Sequence, residues 1–225
     1  MIKKNCPACY GLEIFNKSYN LSICRECDHI FQSDLKISIK YDPKYAHQYD
    51  NRPHQEMSHI RWEFIQKFLS LPLGSKVLDI GYGNGSFLKY AQKNGMNIFG
   101  IDVHGENFGI PEVNYNSDLI FDLVCFFDSL EHFEDFNIIK NLKAKRVIIS
   151  TPDPVDFLLE EPYLWRHYKP GEHLHYFSRK SLSALMKNMG FINEIACGYP
   201  EDELRGKLII KNKNYNNIVT TIFSL

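Results

Sequence analysis

Apolar and polar residues alternate along this chain in two different ways, and the change between them divides it. From Lys76 onward, short apolar runs (KVLDI, NIFGID, FDLVCFF, RVIIS) alternate with stretches of helical period, including Ser86–Lys93 and roughly Lys180–Asn188. Continuous apolar strands separated by helices predict a mostly parallel sheet covered on both faces. FINEIAC and GKLIIKN are expected to close that sheet, and Gly190 before Phe191 fits a helix C-cap leading into the first of them. Upstream, a helix is expected from about Gln55 to Leu71, with Met57, Ile60, Phe64 and Phe68 on one apolar face and Pro72 and Gly74 ending it. Residues 36–53, rich in Tyr, Asp and Pro, read as an irregular connector. Residues 1–35 hold only two short strand-like stretches, GLEIF and HIFQ. The expected division is therefore a small module at 1–35, a connector and helix at 36–75, and an α/β domain at 76–225. The last residues, NYNNIVTTIFSL, are expected as an edge strand or a dimer contact.

Length and charge limit the choices. At 225 residues there is room for one substantial core and a small appendage. Twenty-six basic against 27 acidic residues leave a net charge of −1, which gives no global reason to expect nucleic acid or an anionic membrane as partner. No apolar run reaches the roughly 18 residues of a membrane span. MIKKNCPAC lacks the apolar region of a signal peptide, so a cytoplasmic protein is expected.

Cys6, Cys9, Cys24 and Cys27 form C-x2-C-x14-C-x2-C. In a reducing compartment this spacing points to a tetrahedral thiolate site for Zn2+. The ion is expected to be structural, because four protein ligands leave no open position. His29 could replace one sulfur. Cys125 and Cys197, inside apolar runs, are expected as small core residues.

VLDIGYGNGSF poses the question of cofactor. Gly81, Gly83 and Gly85 are a near miss to the dinucleotide fingerprint. Asp79 ends the strand before them, where a carboxylate repels phosphate and suits a cation. Asp102 closes the next strand, 21 residues after Gly81, where an acid accepts both hydroxyls of a ribose.

Together, VLDIGYGNGSF, FGIDVH, FDLVCFFDSLEHF and VIISTPD resemble class I S-adenosylmethionine-dependent methyltransferases, from about Lys76 to Lys211. The resemblance implies a Rossmann-like seven-stranded sheet with S-adenosyl-L-methionine over the carboxyl ends of its strands. It implies that Gly81, Gly83, Asn84 and Gly85 approach the methionine part, that Asp102 and Val103 lie at the ribose, and that Phe127 and Asp128 border the site. His104 could border the adenine, and the usual acidic adenine contact after the third strand is not recognisable. A four-cysteine module before such a domain also resembles methyltransferases acting on sugars, lipids and related metabolites, in which the following segment folds over the cofactor. Tyr45, Tyr49 and Arg61 are candidates for that lid and for the methionine carboxylate, unless the tyrosines are packing residues and Arg61 is solvated.

The acceptor side is expected at Glu131-His132, just past the fourth strand, and at EHLHYFS, with Glu172, His173 and His175. His132 is the first candidate for a general base and His173 the second. The aromatic stretch EPYLWRHYKP, with Tyr163, Trp165, His167 and Tyr168, is expected to wall an acceptor pocket. Asp128, Glu131 and His132 form D-x-x-E-H, which with His173 resembles the E-x-x-E-H set of ubiquinone-pathway and small-RNA 2′-O-methyltransferases and would imply Mg2+. The function expected is O-methylation of a small or medium-sized acceptor, a sugar, lipid or quinone-like ring. The alternatives are C-methylation of a nucleotide-linked deoxysugar, an RNA methyltransferase gripping RNA through the cysteine module, and a non-catalytic cofactor-binding module. Against RNA, that module carries only Lys3, Lys4, Lys17 and Arg25 beside Glu13, Glu26 and Asp28.

Overall fold

A computed structural model describes residues 5–12, 14–16, 19–41, 53–103, 107–156 and 158–225. Tyr45, Tyr49 and His104 lie outside the described residues.

The chain begins with three short strands, β1 (Ile14–Asn16), β2 (Leu21–Cys24) and β3 (Ile30–Gln32), paired antiparallel in that order. Helix α1 (His54–Phe68) follows. Its buried positions are Ser58, Trp62 and Ile65, continued by Leu69 just beyond its end, while Phe68 is exposed. The expected face of Met57, Ile60, Phe64 and Phe68 is thus displaced around the helix. The large Trp62 ring decides the rotation, because fully burying such a side chain is worth about 1.5–3 kcal/mol.

Strand β4 (Lys76–Ile80), helix α2 (Ser86–Lys93) and strand β5 (Asn97–Ile101) form the first crossover unit. Then come β6 (Ile120–Phe121), β7 (Leu123–Phe127), β8 (Lys143–Ala144) and β9 (Arg146–Pro152). The remaining elements are β10 (His175–Tyr176), α3 (Arg179–Asn188), β11 (Asn193–Gly198), α4 (Asp202–Arg205), β12 (Leu208–Ile210), β13 (Lys213–Tyr215) and β14 (Ile218–Ser224). Ser178 caps α3 by accepting from Ser181 N at 3.2 Å, and Gly190 ends it at φ +92°.

The central sheet runs β11–β14–β9–β7–β4–β5, with the four strands from β9 to β5 parallel and β14 antiparallel to both its neighbours. All five residues of β7 are buried, as its central place requires. One face packs on α1 and α2 through Trp62, Ile65, Leu88, Ala91, Val77 and Cys125. The other packs on α3 through Leu182, Leu185, Met186, Leu78, Ile80 and Phe126, and the cluster continues into Cys6, Ala8, Cys24 and Cys27.

Six strands are hydrogen-bonded into this sheet among the described residues, where seven were expected. Beyond β5 a seventh is reduced to one parallel bridge, Gly100 with Glu112. There Gly100 N donates to Pro111 O at 3.0 Å and Val113 N to Gly100 O at 3.1 Å. Pro111 has no N–H of its own to extend the ladder. The closing strand also differs from expectation. GKLIIKN lies in a separate two-stranded ribbon, β12 with β13, and IVTTIFS is inserted between β9 and β11. The final apolar segment is therefore an interior strand, neither an edge nor a free contact surface.

The N-terminal strands do not stand alone. β10 joins β3 as the fourth strand of their sheet, with His175 opposite Phe31 and Tyr176 opposite Ile30. Among the described residues no helix is long and apolar enough to cross a membrane.

Candidate active site

One cleft of about 1230 Å³ opens above the carboxyl ends of the parallel strands. Its first end is built by the turn after β4. Gly81 has φ +78°, and a Cβ there would meet Ser129 Cβ at 2.6 Å. Only glycine serves at such a position. Ser129 Oγ donates to Ile80 O at 2.6 Å and so ties the turn to the loop after β7. Gly83 has open space where a Cβ would be, leaving its backbone approachable. Gly85, at φ +73°, is the N-cap of α2, and Asn84 Oδ1 accepts from Ser86 N at 3.1 Å and Ser86 Oγ at 2.6 Å.

Asp102 accepts from Gly83 N at 2.8 Å through one oxygen and from Val103 N at 2.6 Å through the other. Asp79 is buried, lines the cleft, and its Oδ1 has no hydrogen-bond partner. Burial pushes its pKa up to about 7, with Asp102 adding to the rise and Arg61 opposing it. A buried acid with one unpartnered oxygen, beside a ribose-type carboxylate and an open glycine turn, fits a ligand that carries a positive charge and a ribose.

The second end gathers residues from distant parts of the chain. Asp128 sits at φ +54° immediately after β7 and is bound by Arg61 Nη2 at 3.1 Å and by Arg205. Arg61 also reaches Glu201 at 2.8 Å and lies over the Phe127 ring at 4.3 Å, while Arg205 reaches Glu201 at 2.7 Å. Glu201 is wholly buried between the two guanidinium groups.

Next to this network, the 3-10 turn Leu130–His132 faces the segment 172–176. Leu174 N donates to Glu131 O at 2.8 Å, and His175 Nε2 donates to Phe133 O at 2.8 Å. His132 Nδ1 lies 2.9 Å from both Glu172 O and Tyr41 Oη. A carbonyl can only accept, so Nδ1 carries the proton and Nε2 bears the lone pair. Burial lowers the pKa of His132, and it lowers that of His173 to about 2. Glu131 is pushed up to about 8, by burial first and by Asp128 second.

Asp79, Gly81, Gly83, Asn84, Asp102, Val103, Arg61, Phe127, Asp128, Glu131, His132 and His173 line the cleft, whereas Gly85, expected there with them, does not and packs against Ile110 instead. The D-x-x-E-H set does not assemble as expected. Asp128 is held by two arginines, and only Glu131, His132 and His173 bring ligand atoms within 4.8 Å of one another. In EPYLWRHYKP the wall is made by Arg166, His167 and Lys169, while Trp165 turns into a separate core with Leu21, Ile30 and Tyr176. Arg205, Glu201, Ser129 and Lys169 were missed. The signal for the first two is ELR after YPED, an acid and a base four residues apart, which reads equally as a solvated helix pair.

The four cysteines of the N-terminal segment converge, with Cys6 and Cys27 sulfurs 3.6 Å apart and Cys9 and Cys24 sulfurs 3.5 Å apart. Four sulfurs at 2.3 Å from one tetrahedral ion would be about 3.8 Å apart, so the residues fit the expected metal. His29 is not among them; its Nε2 contacts His175 Nδ1 at 3.0 Å.

Comparison with known proteins agrees with this geometry. Residues 45–194 match the family described as Methyltransferase domain. A stretch of 57 residues is 42% identical to a tRNA (carboxymethyluridine(34)-5-O)-methyltransferase of Schizosaccharomyces pombe, covering 24% of this chain and 25% of that protein. Among solved structures, a SAM-dependent methyltransferase from Archaeoglobus fulgidus is similar over 82% of this chain and 100% of its own, with TM-score 0.58 and 16% identity. Haemonchus contortus phosphoethanolamine N-methyltransferase 2, in complex with S-adenosyl-L-methionine, is similar over 74% of this chain and 52% of its own, with TM-score 0.55 and 15% identity. At such identities the structural likeness concerns the fold, while the family match spans well over half of the chain. The chain spans about a quarter of the curated relative it matches; it belongs to the methyltransferase-domain family, and its fold is that of class I S-adenosylmethionine-dependent methyltransferases.

Proposed function

We propose that this enzyme methylates a hydroxyl oxygen of a small or medium-sized acceptor, of sugar, lipid or quinone-like type, bound at the second end of the cleft. The observation that carries this reading is the orientation of His132. Its Nδ1 proton is engaged by Glu172 O, and its lowered pKa keeps the ring neutral near pH 7. A neutral imidazole with a defined lone pair on Nε2 is a ready base for a hydroxyl proton. An N-acceptor with its own lone pair would need no such group.

S-adenosyl-L-methionine supplies the electrophilic methyl group when bound. The chain orients the partners of an in-line displacement. Asp102 and Val103 take the ribose side, and the backbone of Gly81, Gly83 and Asn84 admits the methionine part. Asp79 faces the ligand's positive charge, and Arg61 adds a charge for its carboxylate while remaining paired with Glu201 and Asp128. Phe127 forms the floor under Arg61. Tyr49 is assigned to the lid from its sequence position. Zn2+ at Cys6, Cys9, Cys24 and Cys27 holds the N-terminal strands, and it does no chemistry there.

The test is incubation with labelled cofactor and a cellular extract, followed by mass analysis of the product. A methyl group on oxygen supports the reading; a methyl group on carbon would replace it with C-methylation of a deoxysugar. A second reading, methylation of RNA, is favoured by the Schizosaccharomyces pombe relative, whose name gives a tRNA uridine oxygen as the target. Label transferred to bulk tRNA, with binding that weakens steeply as salt rises, would select it.

A further inference from the structure

Residues 35–41, LKISIKY, alternate apolar and polar side chains, the period of a strand with one buried face. The segment forms no strand, and yet its burial follows the alternation. Leu35, Ile37, Ile39 and Tyr41 are half-buried, while Lys36, Ser38 and Lys40 are exposed. What covers the apolar side is not a sheet: Ile37, Ile39 and Tyr41 line the cleft.

The segment is fixed as a strap across the acceptor end. Ile37 N donates to Glu134 Oε1 at 2.8 Å, and Ser38 N donates to Gly171 O at 2.9 Å, so it bridges the loop after β7 and the segment before β10. Gly171 has φ +75°, and a Cβ there would collide with Ser38 Oγ; only glycine lets the strap lie so close. Tyr41 Oη, 2.9 Å from His132 Nδ1, brings the end of the strap to the base.

Phe133 and Ile138, from the loop after β7, line the cleft with the strap, and Ile138 is 44% exposed. Ile37, Ile39 and Ile138 belong to none of the three apolar clusters formed by the described residues. The acids between Phe133 and Ile138 are engaged by backbone. Glu134 accepts from Ile37 N, and Asp135 Oδ1 accepts from Asn137 N at 2.8 Å. Large apolar side chains that join no core and gather in a cleft mark where an apolar ligand group lies.

We infer that the acceptor carries an apolar body, an aromatic ring or an alkyl chain, beside the methylated hydroxyl, and that Ile37, Ile39, Phe133 and Ile138 select it. The inference rests on the reading of this end as an O-methylation site and narrows its substrate class. A free sugar is polar over its whole surface and would leave these side chains without an apolar partner. An apolar body packed along the strap is held independently of the reacting atom, and its burial presents the hydroxyl to His132.

The test uses simple hydroxyl compounds as probes. Full-length protein saturated with S-adenosylhomocysteine is titrated calorimetrically with para-alkylphenols, with primary alkanols and with methyl glucoside. Affinity is expected to rise about three- to fourfold for each added methylene in at least one alkyl series, and methyl glucoside is expected not to bind. In I39N and I138N the affinity for the longest probe should fall by roughly fivefold or more. Unchanged uptake of S-adenosylhomocysteine by these variants checks that they are folded. I192N, at an exposed apolar position outside the cleft, should match the unaltered protein. A steeper phenol series makes the body a ring and a steeper alkanol series makes it a chain; either supports the inference. Affinity independent of chain length, methyl glucoside bound as tightly as the alkyl probes, or no loss in I39N and I138N would overturn it. The readout is binding without transfer, so it is decided separately from whether the methylated atom is oxygen.

Discussion

The two ends of the cleft are built from different kinds of sequence. The cofactor end comes mostly from one unbroken stretch, Asp79 through Val103, in which a strand, a turn, a helix and a second strand set most groups by local geometry. Ser129 ties the turn from the loop after β7, and Arg61 reaches in from α1. The acceptor end is assembled from Tyr41, Arg61, residues 128–134, residues 166–176 and residues 201–205. It holds its shape through long-range contacts, among them Leu174 to Glu131, Arg61 to Glu201 and the pairing of β10 with β3. A contiguous end can be supplied by the fold shared with other methyltransferases. An end assembled from distant segments depends on what each chain adds to that fold.

This contrast can be broken most severely through the cysteine site. Metal removal by a chelator should release β1–β3 and, through β3, the β10 segment that carries the acceptor wall, at a cost of several kcal/mol. Hydrogen exchange is expected to rise in residues 21–32 and 173–176 while residues 77–101 stay protected. Equal loss at both ends would remove the contrast. The next largest effect is on rate. His132→Ala should slow transfer by about 10²–10⁴-fold, read from single-turnover labelling of the extract-derived acceptor. Unchanged transfer would eliminate His132 as base.

E201Q sharpens the comparison from the stability side. It removes a buried charge shared by two guanidinium groups and should cost about 3 kcal/mol in urea unfolding, with the loss seated in the acceptor end. The smallest effect concerns the cofactor end and pH. Asp79 stays protonated in the folded apoprotein up to about 7 but ionises near 3.8 when unfolded. The native state therefore binds the extra proton in that window, and stability falls as pH rises from about 4 to about 7, by a few kcal/mol at most. Asp79→Asn should flatten this slope in thermal melts; an identical slope would show that the carboxyl is not held neutral.

How much was legible follows the same division. KVLDI and Ser86–Lys93 were read with their bounds intact, because a continuous apolar strand, positive-φ glycines and a helical period are local signals. The cysteine spacing was legible for the same reason. The face of α1 was not, since Met57-Ile60-Phe64-Phe68 and Ser58-Trp62-Ile65-Leu69 are neighbouring stripes and only the packing on α2 and the sheet chooses between them. Nor was the role of IVTTIFS. Strand order is a long-range property, and GKLIIKN carries a similar apolar run. At the site, Glu201 and Arg205 look like any exposed pair until the fold brings Arg61 to Glu201 and β7 places Asp128 against both arginines.

Calorimetric titration of S-adenosylhomocysteine into D102A and H132A, side by side with the unaltered protein, bears most directly on the separation of the two ends. The expected result is binding weakened by roughly thirtyfold or more in D102A, which loses charge-assisted bonds to the ribose, and within about twofold of the unaltered protein in H132A. Comparable losses in both variants, or none in D102A, would contradict the account.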